Sequence, residues 1–112
     1  MKKRLFDINL KSLKSKKPIA VVSLKENGLI DKYFYFSAGK KLDLSEFLRL
    51  FEDLEYSTLY IKNIASLAYE DFYYNYIKEG DFDSAIKVTL DNFTGKYPYN
   101  VVFYLDGYLY TY

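Results

Sequence analysis

Three acidic side chains at alternate positions are the best candidates for metal chemistry in this sequence. Glu79, Asp81 and Asp83 offer the hard oxygen ligands that calcium and magnesium prefer. An EF-hand loop also needs a glycine at its sixth position and a bidentate glutamate at its twelfth, and this sequence has neither in register. We therefore interpret the cluster as a solvated turn in which Asp83 caps a following helix. We expect neither a bound metal nor another cofactor.

The residue types present argue against an enzyme. The chain has no histidine and no cysteine, so acid–base work would depend on carboxylates, lysine or tyrosine, and thiol chemistry and disulfides are excluded. It also lacks the G-x-S-x-G nucleophile elbow, a P-loop and a G-x-G-x-x-G motif. A metal-dependent nuclease would need carboxylates and a lysine that converge at strand ends, and the spacing of Glu55 with Lys62, or of Asp81 with Lys87, does not indicate such a site. The sequence predicts a protein that is not a catalyst.

Positive charge is concentrated near the start of the sequence. Residues 1–17 carry seven Lys or Arg side chains against Asp7 alone, whereas residues 18–112 carry nine cationic and 14 acidic side chains. An exposed basic loop could neutralise phosphates and bind nucleic acid, with exposed tyrosines as stacking platforms. The alternative is an ordinary solvated loop. The lysines of this loop are Lys11, Lys14, Lys16 and Lys17.

Tyrosine is the other unusual feature of the composition, with 14 tyrosines and nine phenylalanines but no tryptophan. An AT-rich coding genome would also produce this usage, and any single tyrosine is most often an ordinary half-buried residue. Fourteen tyrosines, however, are too many to bury with satisfied hydroxyl groups in one small domain, so some must face outward. Tyrosine is enriched at the centre of protein interfaces. The predicted partner-binding residues are Tyr33, Tyr35, Tyr69, Tyr73, Tyr74, Tyr97, Tyr99 and Tyr104.

Two hairpins are predicted, because Asn27-Gly28 and Asp106-Gly107 supply the two positive φ angles of a type I′ turn between extended runs. Alternation places the side chains of each hairpin on two faces. In the first hairpin we expect the core face to carry Ile19, Val21, Phe34 and Phe36. In the second we expect it to carry Val101, Phe103, Leu105, Tyr108, Tyr110 and Tyr112. A further strand is predicted over residues 6–10.

Helix signals occupy the middle of the chain. Asp43 and Glu46 have the spacing of a capping box, which predicts a helix over 43–55. A short strand over 56–61 follows. Asn63 then caps a helix that runs through Lys78 and ends at Gly80. Residues 83–93 fit either a strand or a helix, and Asp83 as a capping residue favours the helix.

Residues 76–86 resemble the turn between the two helices of a tetratricopeptide unit. The resemblance lies in the spacing of Tyr76, Gly80, Phe82 and Ala85, and it covers 11 residues. Thr89 and the later Asn92 depart from the pattern at positions where apolar residues are expected. The sequence contains no second copy, and a single unit cannot bury its own face. The resemblance therefore implies a helix-turn-helix and no repeat function.

These elements predict one α+β domain over residues 1–112, with an antiparallel sheet of about five or six strands and two or three helices on one face. Residues 1–17 would form a basic strand and loop. No apolar run is long enough for a membrane helix, and we expect a cytoplasmic protein. If nothing covers the second sheet face, it would be a partner site or a homodimer interface. Its predicted members are Val22, Tyr33, Tyr35, Tyr104 and Leu109.

The function predicted from the sequence is a small non-catalytic protein-binding module. Small size, an amino-acid usage like that of AT-rich coding genomes and missing catalytic motifs suggest a phage or mobile-element inhibitor of a host machine, such as an anti-CRISPR or other anti-defence protein. The partner would then be a protein, for example in a host nucleic-acid-processing complex. One alternative is a small nucleic-acid-binding protein that uses the basic 11–17 loop. Another is an immunity or antitoxin protein.

Overall fold

The computed structural model describes residues 2–4, 17–52 and 58–112, with positions 58–62 and 64 described by their backbone alone. The predicted strand over residues 6–10 lies outside these ranges. Within them, six strands and three helices follow one another along the chain. The strands are β1 (Lys2–Arg4), β2 (Ile19–Leu24), β3 (Ile30–Ser37), β4 (Lys40–Leu42), β5 (Asn100–Leu105) and β6 (Tyr108–Tyr110). The helices are α1 (Leu44–Arg49), α2 (Thr58–Glu79) and α3 (Phe82–Phe93).

The six strands form one mixed sheet in the order β1-β6-β5-β2-β3-β4. Four neighbouring pairs are antiparallel, but the central pair, β2 with β5, is parallel, with Ile19 opposite Asn100 and Leu24 opposite Leu105. The α+β class is confirmed and the prediction of a purely antiparallel sheet is wrong. A parallel pair requires a long crossover, which the chain supplies through its helices. The turn sequences that predict each hairpin act within a few residues, so they do not predict which strand of one hairpin pairs with a strand of the other.

The parallel register also decides which side chains face the helices. Val22 lies opposite Phe103, so these two residues share a face, and it is the face on which α1, α2 and α3 pack. Ile19 and Val21, with Phe34 and Phe36 across the hairpin, belong to the opposite face. There they form a second, smaller core cluster, in which Ile19, Val21 and Phe36 are buried, so the predicted core face of the first hairpin is confirmed; the main core lies on the other face, beneath the helices. The predicted core face of the second hairpin is confirmed for Val101, Phe103, Leu105, Tyr108 and Tyr110.

The two turns differ in their backbone. At the β5–β6 turn, Asp106 and Gly107 both have positive φ angles, of 49° and 80°, and Leu105 pairs directly with Tyr108. At the β2–β3 turn the positive φ is at Gly28 and not at Asn27. The amide of Gly28 donates to the carbonyl of Lys25 at 2.8 Å, and the register shifts between Ser23 and Leu24. A bulge of this kind adds a residue to one strand beside the turn.

Helix α1 begins with the predicted capping box. The Asp43 carboxylate accepts from the Glu46 amide at 2.7 Å, and the Glu46 carboxylate accepts from the Asp43 amide at 3.1 Å. The helix ends at Arg49, earlier than residue 55, and residues 53–55 lie outside the described ranges.

Helix α2 is longer than the sequence indicates. Residues 58–61 are helical, so the strand predicted over 56–61 is wrong, and Asn63 lies inside the helix and is not its capping residue. Gly80 ends it as predicted, with φ +85° and its amide donating to the carbonyl of Tyr76 at 2.9 Å. In the part of the chain that the structure describes, no helix is both long and apolar enough to span a membrane.

Residues 83–93 are helical, as predicted, but α3 is capped by a different aspartate. The Asp81 carboxylate accepts from the Ser84 amide at 2.9 Å. Asp83, the predicted capping residue, lies in the first turn instead. Its side chain is therefore free to contact the sheet, as described below.

Candidate protein-binding surface

Helix α2 is apolar on two opposite sides, although only one side packs against the domain. Its inner side buries Ala65, Ala68 and Phe72. Its outer side carries four large apolar side chains that remain exposed. An exposed group of large apolar side chains on one side of a helix is a feature of interaction surfaces.

We define the outer face of α2 as Leu67, Tyr73, Tyr74 and Ile77. These side chains are 41%, 43%, 66% and 73% exposed. At 100° per residue they fall within one arc, about 120° wide, on the side away from the sheet. Single exposed apolar residues are ordinary, but a contiguous group containing two aromatic rings is typical of an interaction surface.

Aromatic contacts fix the rotation of α2 about its axis. The ring of Phe72 lies 5.6 Å from Phe103 on the sheet and 6.1 Å from Phe82 on α3, measured between ring centroids. Tyr76 lies 4.5 Å from Phe82 in the same way. Turning the helix to bury its outer face would expose Phe72 and lose these contacts. The exposed arc is therefore a fixed property of the fold.

A polar network between α2 and α3 reinforces this orientation. The buried side-chain amide of Asn75 donates to the Thr89 hydroxyl at 3.1 Å and to the Asp71 carboxylate at 3.0 Å. The amide of Asn92 donates to the same carboxylate at 3.1 Å. Thr89 and Asn92 are the two positions that depart from the tetratricopeptide pattern. In this chain both side chains belong to the network between α2 and α3.

The predicted partner-binding tyrosines of α2 occupy two environments. Tyr73 and Tyr74 are exposed and belong to the outer face. Tyr69 is half-buried, and its hydroxyl donates to the carbonyl of Gly28 at 3.3 Å, so it ties the helix to the first hairpin. The rings of Tyr69 and Tyr73 are 6.3 Å apart, which connects the outer face to this anchor. Burial raises the pKa of the Tyr69 hydroxyl.

The remaining predicted tyrosines do not join that surface. Tyr99 is 2% exposed, so it belongs to the core, and its inclusion in an exposed cluster is wrong. Tyr33 and Tyr35 are half-buried on the helix-covered side of the sheet, where Tyr35 lies 4.8 Å from Phe47. Tyr97 also packs against the main core, whereas Tyr104 packs on the opposite face of the sheet.

Of the five residues predicted for the second sheet face, Tyr104 and Leu109 lie on the side away from the helices, and both are at least partly buried. Val22 is fully buried and lies on the helix-covered side, and Leu109 on the other side is 1% exposed. Leu67 and Ile77 were not singled out from the sequence. They carry the spacing of an amphipathic stripe, but the opposite side of α2 is apolar as well, which hides that signal.

A polar cluster ties β1 and β6 to α3. The Tyr110 hydroxyl donates to Oδ1 of Asp83 at 2.6 Å, and Nζ of Lys2 lies 3.1 Å from Oδ2 of the same carboxylate. The Lys2 ammonium also lies 4.3 Å from the centre of the Tyr108 ring. The polar groups of this cluster bind one another and need no ligand to satisfy them.

The protonation states of the cluster are locked at neutral pH. Burial, and then the hydrogen bond to Asp83, raise the pKa of Tyr110 to about 12. The hydrogen bond from Tyr110, and then that from Lys2, lower the pKa of Asp83. General acid–base catalysis works best when a pKa lies near the working pH. Neither group meets that condition.

A cavity of about 450 Å³ opens beside this cluster. Its floor consists of Ile86 and Leu90 from α3, and its rim includes Lys87, Asp91 and the exposed ring of Tyr112. The lining combines an apolar floor with an equal number of cationic and anionic side chains. It has no focused charge that would select an anionic or cationic ligand.

The basic residues are partly described. Lys17 is exposed, while Lys11, Lys14 and Lys16 lie outside the described residues. The three residues of β1 add an exposed cationic edge to the sheet. One of them, Arg4, donates from its guanidinium to the Tyr108 hydroxyl at 2.9 Å.

Two of the three acidic residues considered for metal binding, Asp81 and Asp83, make other contacts. Asp81 caps α3 and Asp83 binds Tyr110 and Lys2. Over residues 2–4, 17–52 and 58–112, no group of three acidic side chains converges in the manner of a metal site.

Comparisons with protein families, with curated proteins and with solved structures find no match for this chain.

Proposed function

We propose that this chain is a non-catalytic protein-binding module and that its partner covers the outer face of α2. The observation that carries the proposal is the apolar outer side of a helix whose rotation is fixed by contacts on its inner side. Aromatic and aliphatic side chains in one exposed arc can form the desolvated centre of an interface. Glu70 in the same arc and Lys78 just beside it can supply polar contacts, since both are exposed.

The absence of histidine and cysteine supports a role without catalysis. The composition supports a phage or mobile-element inhibitor of a host machine, such as an anti-CRISPR or other anti-defence protein. In that role the chain blocks its target by occupying a surface. An immunity or antitoxin protein would use the same kind of surface against a neighbouring toxin.

The proposal is tested by affinity capture. The tagged chain and matched variants of it are used to capture a partner from the cells in which the chain is made or acts. Tyr74→Asp and Ile77→Asp place a charge on the outer face of α2. Leu29→Asp and Leu50→Asp are controls, because these are also exposed large apolar side chains, at 47% and 45%, but lie outside the outer face of α2. We expect the wild type and both controls to enrich the same protein, and both outer-face variants to lose it. Equal enrichment by all five chains would refute the proposal.

Nucleic-acid binding is a second candidate, supported by the exposed cations of β1 and by Lys17. Phosphate-driven binding falls steeply between about 50 and about 200 mM salt. We expect labelled single-stranded and duplex oligonucleotides to bind weakly, with anisotropy changes that disappear at the higher salt concentration. Tight binding that is lost when Lys11, Lys14, Lys16 and Lys17 are replaced by alanine would instead support this second candidate.

A further inference from the structure

The exposed side of α2 contains a regular stripe of side chains. The residues are spaced by four, three, four and three positions, which is the period of the seam between two helices of a left-handed coiled coil. All five are exposed. We name this stripe the seam of α2, and its members are Asn63, Leu67, Glu70, Tyr74 and Ile77.

Glu70 lies in the middle of the seam, and the neighbouring positions on its own helix carry no opposite charge. The positions three and four residues away on its own helix are Ser66, Leu67, Tyr73 and Tyr74, and none of them is cationic. Among the described side chains, Glu70 has no ion pair. A partner that covered Leu67 and Tyr74 would remove the Glu70 carboxylate from water. A charge buried without a counter-charge is costly, so the partner must supply one.

We infer that the partner binds α2 through an amphipathic α-helix that places a lysine or arginine opposite Glu70. This inference rests on the proposed protein-binding role of the outer face. A helix fits because a convex seam of period 3.5 packs knobs into holes against another helix. Asn63 to Ile77 spans about 21 Å, so the partner helix needs about 14 residues or more. The basic residue opposite Glu70 fixes the register, as single polar residues do in coiled coils.

The inference is tested with a displayed library of amphipathic helices of about 21 residues, apolar at the seam positions. The central seam position is varied among lysine, arginine, glutamate and leucine. The wild-type chain is expected to enrich lysine or arginine over glutamate at that position by about tenfold or more, the scale of a close charge pair at an interface. Glu70→Lys is expected to reverse the preference, and Glu70→Leu to shift it to leucine. Because Glu70 is exposed, these variants should fold as the wild type does, which circular dichroism checks.

Failure of the inference differs from failure of the proposed function. Enrichment of leucine or glutamate by the wild type, or of no helix at all, overturns the inference. The proposed function is judged separately, by the loss of the cellular partner in the Tyr74→Asp variant. Sedimentation velocity tests whether a second copy of this chain, and not a different protein, occupies the seam. A wild-type dimer that dissociates in the Tyr74→Asp variant would show that it does, and this result would also overturn the inference.

Discussion

Replacing Tyr110 by phenylalanine removes one hydroxyl group and keeps the ring in the core. The hydroxyl donates to the Asp83 carboxylate at 2.6 Å. A hydrogen bond to a charged group contributes about 1.5 to 3 kcal/mol. The Asp83 side chain is 60% exposed, so water replaces the lost donor in part. We therefore expect Tyr110→Phe to lower the free energy of unfolding by about 1 kcal/mol at neutral pH.

The raised pKa of Tyr110 sets an upper limit on the contribution of this hydrogen bond. A rise from 10.0 to about 12 corresponds to a limit of about 2.7 kcal/mol. Burial is the largest cause of that rise and the hydrogen bond the second, so the bond accounts for only part of the limit. Because the folded pKa is raised, this contribution is present below about pH 10 and is lost as the pH rises towards 12.

Protonation of Asp83 weakens the same hydrogen bond at low pH. Its folded pKa is lowered from 3.8, so its contribution to stability is present above about pH 4 and is lost as the pH falls through the folded value. The effect of Tyr110→Phe should therefore be smaller at about pH 2 than at about pH 7. Urea unfolding followed by far-UV circular dichroism measures both values, since the chain has no tryptophan to report by fluorescence. An equal loss at both pH values, or an undiminished loss in an Asp83→Asn background, would refute the reasoning.

Two substitutions test the contacts that orient α2 and α3. Gly28→Ala should destabilise the fold by about 2 kcal/mol or more, because φ is +83° and the added Cβ would meet Phe82 Cε1 at 2.6 Å. Gly39→Ala is the control, because Gly39 has φ +76° but its added Cβ would meet no atom within 4 Å. It should lower the free energy of unfolding by about 1 kcal/mol in the same urea titration. Equal losses of stability in the two variants would contradict the predicted clash with Phe82. Thr89→Val removes the acceptor for the buried Asn75 amide and should cost about 1 to 2 kcal/mol, while an unchanged unfolding midpoint would mean that the network does not stabilise the helix pair.

Features encoded within a few residues were predictable from the sequence. The capping box of Asp43 and Glu46 and the helix stop at Gly80 both depend on side chains and backbone angles within one or two turns. The helix over 83–93 was recovered from its spacing together with a capping aspartate nearby. The predicted capping residue was Asp83, but Asp81 caps the helix. Both are suitable capping residues by type, and what distinguishes them is the long-range contact of Asp83 with Tyr110.

Features set by contacts distant in the sequence were not predictable from it. Strand β2 pairs with β5 across 80 residues of chain, and this pairing alone assigns Val22 and Phe103 to the same face. Residues 58–61 have a strong β propensity, yet they are helical because helix α2 continues through them. The exposure of Tyr73 and Tyr74 was foreseen, but Tyr99 could not be separated from them without knowing the core.

The most direct test of the proposed partner surface is hydroxyl-radical footprinting of the chain, alone and in complex with the captured partner. The reactive rings of Tyr73 and Tyr74 report on the outer face of α2, and Tyr112, which is 75% exposed, reports on a distant exposed ring. We predict that oxidation of Tyr74 and Ile77 falls sharply in the complex while oxidation of Tyr112 is unchanged. Unchanged oxidation of Tyr74 and Ile77, with protection elsewhere, would contradict the assignment of this face.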